Sequence, residues 1–131
     1  MVVDSSALAA VLFGEEDAGL YLQALSRPGR KFISALTLLE ISIVVEARKG
    51  RKGGVLLREL LNTAGVETVA FDSSLAEIAL EAWRSWGRSR HQAALNLGDC
   101  AAYALSRVLN KPLLFKGQDF SQTDVLSYRL E

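Results

Sequence analysis

Four carboxylates of the 131-residue chain occupy positions where a charged oxygen is either costly or well placed for chemistry. Asp4 directly follows the apolar segment that begins the chain, and Asp119 lies in the loop after a later apolar segment, residues 113–115. Glu40 lies on the apolar stripe of a predicted helix, where a buried, unpaired carboxylate would be costly or would be protonated. Asp99 lies in the first turn of another predicted helix, where an N-cap role is the simpler explanation.

Binding of a hard divalent cation is the chemistry that fits these residues. Four anions within a few ångströms repel one another strongly unless a cation lies between them. The chain has one histidine, His91, and one cysteine, Cys100, which excludes a His-rich or Cys-rich metal site and an internal disulfide framework. Oxygen-only sites select Mg²⁺, with Mn²⁺ as a possible substitute. Because Asp4 and Asp119 could equally be a cap and a turn residue, the hypothesis requires that all four side chains meet.

The elements that must position these carboxylates alternate between short apolar strands and amphipathic helices. The predicted strands are residues 1–3, 31–33, 66–71 and 113–115, with 125–126 as a possible last strand. The predicted helices are residues 7–13, 15–25, 35–47, 56–64, 75–86 and 98–109. This alternation predicts a three-layer α/β/α fold, with a central parallel sheet of four to five short strands and helices on both faces. Ligands of such sheets bind beyond the carboxyl ends of the strands, where strand order reverses.

Local signals set the expected boundaries of the helices. Residues 15–17 are all acidic and are predicted to form the first turn of the second helix, where solvation explains their charge. Residues 48–54 form a basic, glycine-broken segment, which predicts a linker between two helices. Ser74 and Glu77 have the spacing of a capping box.

Composition bounds the class of protein. With 50% hydrophobic and 23% charged residues, the chain can bury a core and is predicted to form one domain over residues 1–131. Fifteen basic residues balance fifteen acidic ones, so net charge indicates neither a nucleic-acid nor a membrane partner. No apolar run approaches the ~18 residues of a transmembrane helix, and we expect a protein of the cytoplasm.

Four segments, taken together and in order, resemble the PIN-domain family, specifically the VapC-type toxins of toxin–antitoxin pairs. Residues 2–8 are similar to the opening strand and first acid of that family, and residues 34–40 to the helix with the second acid. Residues 90–105 give the most specific match, and residues 112–125 fit the closing motif. The resemblance covers essentially the whole chain.

The resemblance implies a Mg²⁺-dependent endoribonuclease with strands one and four adjacent in its sheet. It implies an acidic catalytic quartet of Asp4, Glu40, Asp99 and Asp119, with Asp4 and Asp99 binding the metal. Some relatives carry Ser or Thr two residues before the last acid, where this chain has Gly117, although Ser6 could still bind a carboxylate or a metal-bound water. The family pattern also implies a homodimer inhibited by a VapB-type antitoxin, whose tail enters the acidic groove.

Local positive charge indicates where RNA would bind. Arg84, Arg88 and Arg90 lie between a Trp-bearing helix and the Asp99 turn and are expected to contact phosphates. Trp83 is predicted to lie in the core, whereas Trp86 could stack on a base or lie in the core. Other roles are expected for three residues and one segment: His91 as a loop hydrogen-bonding group, Cys100 as a small apolar residue, Asp124 as a turn residue, and the basic run 48–52 as a solvated helix end.

The antitoxin surface is predicted on the second to fourth helices, although the same residues could belong to the core. The set includes Leu39, Ile43, Leu56 and Leu60.

Two other classes of protein compete with the nuclease hypothesis. The first is a non-catalytic α/β binding module whose acidic pocket receives a basic partner peptide. The second is a receiver-type domain, which would use Asp72 as its phospho-acceptor but expects paired acids after the first strand. Serines follow Asp4 instead, and Ser6 likewise replaces the second acid of a DxD phosphatase.

Overall fold

A four-stranded parallel sheet forms the centre of the computed structural model, which describes residues 1–130. The strands are β1 (Val2–Val3), β2 (Lys31–Ser34), β3 (Val66–Val69) and β4 (Leu113–Leu114), in the spatial order β3-β2-β1-β4. Val2 pairs with Phe32 on one side and with Leu113 on the other. Strand order therefore reverses at β1, and the predicted adjacency of the first and fourth strands is confirmed.

Helices cover both faces of this sheet. They are α1 (Ser5–Leu12), α2 (Ala18–Ser26), α3 (Ala35–Ala64), α4 (Ser73–Trp86) and α5 (Leu97–Leu109), followed by a 3₁₀ helix, Phe120–Gln122, among residues 1–130. None of these helices, within the described part of the chain, combines the length and apolarity needed to cross a membrane.

Two cores lie on opposite faces of the sheet because side chains alternate along each strand. Val2, Phe32 and Leu113 pack on the face covered by α4 and α5. Val3, Ile33 and Leu114 point the other way, into a core shared with α1, α2 and α3. The predicted three-layer α/β/α architecture is confirmed.

The predicted linker at residues 48–54 is wrong, because these residues continue α3 on both sides of a single kink. Gly50 alone leaves the helical conformation, with φ 69° and ψ −165°, a backbone region that essentially only glycine occupies. Gly53 allows the second half of the helix to approach the first, since a Cβ there would lie 2.6 Å from Val45 Cγ1. The glycines therefore bend one long element instead of separating two.

Other predicted boundaries also differ from the structure. Asp72, rather than Ser74, caps α4 by accepting a hydrogen bond from Leu75 N at 3.0 Å, so the predicted capping box is absent from this helix start. Helix α2 begins at Ala18, after the three acidic residues that were expected in its first turn. Residues 125–126 do not form a strand, but Ser127 makes an isolated bridge to Leu113.

Candidate metal centre

Asp4 follows β1 and caps α1 with one of its two carboxylate oxygens. Its Oδ2 accepts hydrogen bonds from Ser6 N at 3.0 Å and from Ser6 Oγ at 2.6 Å. Its Oδ1 is buried and has no hydrogen-bond partner among residues 1–130, while the residue as a whole is 2% exposed. The cap and a ligand role are therefore compatible, because they use different oxygens.

Glu40 lies against the first turn of α5, where Gly98 makes room for it. A Cβ at Gly98 would lie 2.2 Å from Glu40 Oε2, so any other residue there would displace the carboxylate or the helix. Glu40 Oε1 is buried and also lacks a hydrogen-bond partner in the described chain. Helices α3 and α5, on opposite faces of the sheet, thus meet here, and Glu40 lies next to the residue before Asp99.

Asp99 is held in position by a capping box, although it is not the N-cap itself. Asn96 is the N-cap, and its Oδ1 accepts a hydrogen bond from Asp99 N at 2.9 Å. In return, Asp99 Oδ2 accepts one from Asn96 N at 3.1 Å. The predicted helix-start position is correct, and the side-chain pairing fixes the orientation of the carboxylate.

Asp119 reaches the same region from the loop after β4. It is exposed, and no side-chain capping bond to the 3₁₀ helix is formed within the described residues.

Asp99 lies within electrostatic reach of the other three carboxylates, and Asp4 lies within reach of Glu40. Burial raises the pKa of Asp99 to about 7, and the negative charges of Asp4, Asp119 and Glu40 add to this effect. Burial likewise raises the pKa of Asp4 to about 6, opposed by its hydrogen bonds from Ser6 and reinforced by the charge of Glu40. Holding these groups ionised together therefore requires a nearby cation.

The donor set fits Mg²⁺ on the chemistry of its oxygens. Among residues 1–130, no three His, Cys, Asp or Glu side chains are arranged as a complete metal site. Mg²⁺ does not need one, because it usually binds through one or two carboxylates and keeps several waters. The two buried oxygens without partners, Asp4 Oδ1 and Glu40 Oε1, are costly to leave unpaired and favour a cation.

Sequence reasoning missed Thr37, which lies one helical turn before Glu40. The residue is fully buried, and its Oγ1 has no hydrogen-bond partner in residues 1–130. The spacing of three residues places both side chains on one side of α3, and this spacing was the available signal.

Lys116 was also missed, and it links the loop after β4 to the start of α1 and to acids before α2. Its backbone N donates to Ser6 Oγ at 2.9 Å, while its Nζ donates to Glu15 Oε1 at 2.7 Å and Asp17 Oδ1 at 2.8 Å. The prediction that solvation explains Glu15 and Asp17 is therefore wrong. These bonds hold the pKa of Lys116 above its ordinary range and anchor the start of the loop that carries Asp119.

The predicted RNA-contacting arginines lie along the end of α4 and the following loop. Arg84 pairs with Glu81 in the preceding turn. Arg90 donates through Nε to Arg84 O at 3.2 Å, and its guanidinium lies 4.9 Å from the ring centroid of Trp83. Trp83 is 38% exposed, so the prediction that it lies in the core is wrong.

Trp86, whose role the sequence left open, and Asp124, which was predicted to be a turn residue, both have structural contacts. Trp86 is partly buried against the α4–α5 core and makes an edge contact with His91, with ring centroids 5.0 Å apart. The Asp124 carboxylate accepts hydrogen bonds from Tyr103 and Arg107, which supports its predicted structural role.

The apolar residues proposed as an antitoxin surface are mostly exposed. Leu39 is 55% exposed, Ile43 60% and Leu56 47%, whereas Leu60 is half-buried. Leu39 and Ile43 line an apolar groove that reaches Glu40 and Leu97.

Comparison with known proteins identifies the family of the chain. The PIN domain family matches residues 1–126 of the chain. The chain belongs to the PIN domain family. A ribonuclease VapC30 from Mycobacterium tuberculosis is 42% identical over 130 residues, which cover 99% of each chain.

Two solved structures show the same fold as this PIN domain. VapC20 from M. tuberculosis, described as a sarcin-ricin loop cleaving toxin, superposes with a TM-score of 0.79 at 22% identity, covering 98% of both chains. A chain of a toxin–antitoxin complex from Klebsiella pneumoniae superposes with a TM-score of 0.70 at 16% identity, covering 97% of this chain and 95% of the other. The family expected from the four sequence segments is confirmed.

The metal-free PIN domain is expected to lose stability as the pH rises. The pKa of Asp4 is raised from 3.8 to about 6, so its contribution to stability is complete below about pH 4 and is lost as the pH passes 6. Asp4 alone should lower the free energy of unfolding by about 3 kcal/mol between about pH 4 and pH 8. Urea denaturation in the presence of a chelator measures this slope.

The matched variant for this measurement is Asp4→Asn, which keeps the cap because Asn caps helices as well as Asp does. In this variant the free energy of unfolding should depend less steeply on pH, by the contribution assigned to Asp4. Excess Mg²⁺ should stabilise the wild type but not the variant at the higher pH. Equal slopes in the two proteins would contradict a buried, uncompensated charge at Asp4.

Gly98→Ala is expected to disrupt the contact between α5 and Glu40. The new Cβ would overlap Glu40 Oε2, at 2.2 Å, and overpacking of this kind costs about 1–3 kcal/mol. Thermal unfolding with and without Mg²⁺ should show a lower midpoint and a smaller stabilisation by the metal. Gly19→Ala in α2 is the control, since its Cβ would meet no described atom within 4 Å. If Mg²⁺ stabilised the wild type, Gly98→Ala and Gly19→Ala equally, Glu40 would not contribute to metal binding.

Proposed function

We propose that this PIN domain, residues 1–131, is a Mg²⁺-dependent endoribonuclease toxin of a toxin–antitoxin module, with Mn²⁺ as a possible substitute. The observation that carries the proposal is the pair of buried, unpartnered oxygens on Asp4 and Glu40, next to Asp99. The name of the VapC30 ribonuclease, at 42% identity over the full chain, supports RNA as the substrate.

Each acidic residue has a role that follows from its environment. Asp4 and Asp99 would hold the metal, since both carboxylates are oriented by helix-capping bonds. When bound, Mg²⁺ supplies a Lewis acid that neutralises charge on the phosphate and makes water more acidic. Glu40 or Asp119 accepts the proton of the attacking water, and Ser6 holds the Asp4 carboxylate in place.

Positive charge beside the acids would position the RNA backbone. Arg84, Arg88 and Arg90 are all exposed at the end of α4 and in the loop that leads to Asn96. Contacts from such residues to phosphates fix the position of a nucleic acid without reading its sequence.

We further propose that a VapB-type antitoxin covers the exposed apolar residues of α3 and inserts its tail into the acidic groove. Leu39 and Ile43 line the apolar groove that leads to Glu40, so a bound peptide would reach the carboxylates directly. An antitoxin arginine placed there would compete with the metal for these charges. A cytoplasmic homodimer is the expected form of the free toxin.

Metal-dependent cleavage of RNA tests the nuclease proposal. Purified protein should cleave tRNA, rRNA or generic RNA with Mg²⁺ or Mn²⁺, and Asp4→Asn, Asp99→Asn and Glu40→Gln should each lose about a hundredfold or more of that activity. Asp72→Asn is the matched control, because Asp72 is an exposed helix cap and Asn preserves the cap. Sequencing of RNA 5′ ends after brief induction of wild type and Asp4→Asn would identify the cleavage site.

Intact RNA with both metals would instead support a non-catalytic module whose acidic pocket binds a basic peptide.

Leu39→Glu and Ile43→Glu are expected to weaken binding of the antitoxin by about tenfold or more, because a charge would replace a buried apolar contact. The probe is the product of the small reading frame expected immediately upstream of this gene. Val108→Glu, at an exposed position on α5, is the matched control and should bind normally. Normal binding by all three variants would place the antitoxin elsewhere.

A further inference from the structure

We propose that a second pocket beside Asp99 binds an unpaired nucleobase of the RNA substrate and stacks it on Trp83. This inference rests on the proposed function. The pocket is a cavity of about 500 Å³, within the size range of ligand sites. Its lining includes Phe71, Leu80, Trp83, Arg88, Leu95 and Cys100.

The pocket lies against the start of α5, the element that also carries Asp99. Asn96 and Cys100 line it, the first as the N-cap of α5 and the second as the residue after Asp99. Asn96 also orients Asp99 through the capping box. Asn96 and Leu97 line the groove on the Glu40 side as well, so the start of α5 separates the two cavities. A nucleotide with its phosphate at the acids could therefore place its base, or a neighbouring one, in this pocket.

The chemistry of the walls matches a base carried on an anionic backbone. The lining is almost wholly apolar and includes the exposed ring of Trp83, which stacks well with any base. Arg88 lies in the wall, and Arg90 lies over the Trp83 ring. Unlike Arg84, neither Arg88 nor Arg90 forms an ion pair with any residue of the described chain, and both are exposed. These two charges complement phosphates on either side of a bound base.

The loop that forms one wall is held by backbone contacts, which makes the pocket preformed. Gly87 and Leu95 form a parallel bridge, and Arg88 N donates to Leu95 O at 3.0 Å. Leu95 itself is fully buried. A base inside a duplex is already stacked on its neighbours, whereas an unpaired base has a free face. A preformed aromatic wall therefore binds unpaired bases in preference to paired RNA.

Binding of RNA to cleavage-deficient protein tests this pocket separately from catalysis. In an Asp4→Asn background, Trp83→Leu should weaken the binding of labelled ten-nucleotide homopolymers by about fivefold to a hundredfold in fluorescence anisotropy. Trp83→Phe keeps a stacking ring and should retain most of the affinity, whereas Leu20→Ala, at an exposed apolar position on α2, should bind normally. Titration with the four nucleoside 5′-monophosphates should shift the Trp83 indole N–H signal in NMR spectra.

Other results would overturn the base pocket. They are equal RNA affinity for Trp83→Leu, an indole signal that does not move, dissociation of a dimer by Trp83→Leu in sedimentation, or loss of antitoxin binding alone. If wild-type protein cleaves RNA and Trp83→Leu cleaves it equally well, this inference fails and the proposed function stands. If wild-type protein does not cleave but Trp83-dependent RNA binding persists, the nuclease proposal fails and the pocket stands.

Discussion

Burial of the Asp4 carboxylate at the end of an interior strand is the constraint on which the rest of the site depends. Because β1 lies between β2 and β4, the residue that follows it cannot reach solvent. Ser6 satisfies one oxygen, and the other is left without a partner in residues 1–130. A charge in that position requires either a proton or a cation, and this requirement supports the proposal of a metal site among the nearby acids.

Helix capping and the proposed metal binding would use the same side chains in this domain. Asp4 starts α1 and Asp99 completes the capping box of α5, so each carboxylate is oriented by the backbone of the helix it begins. A cap uses one oxygen of a carboxylate, which leaves the second for another ligand. The bonds that stabilise each helix therefore also fix the orientation of the carboxylate that is proposed as a ligand.

Close approach of elements from different layers completes the arrangement. Gly98 lets α5 lie on Glu40 of α3, across the edge of the sheet. Lys116 links the loop after β4 to Ser6 at the start of α1 and to the acidic residues before α2. The start of α5 is consequently bordered by an apolar groove on the Glu40 side and by the Trp83 pocket on the other.

The sequence by itself determined the strands, the helical faces and the choice of four unusual carboxylates, because apolar periodicity and the cost of a buried charge are local properties. The sequence pattern predicted a linker around Gly50 where the structure has a kinked helix, because the same glycine pattern suits both. Whether two helical segments form one long helix depends on what they pack against. Trp83 likewise has the helical spacing of a core residue, but in the structure it is 38% exposed and lines a pocket. Only the tertiary structure decided that Gly98 borders Glu40 and that Thr37 and Lys116 belong to this region, because contacts between residues far apart in the chain depend on strand order and layer packing.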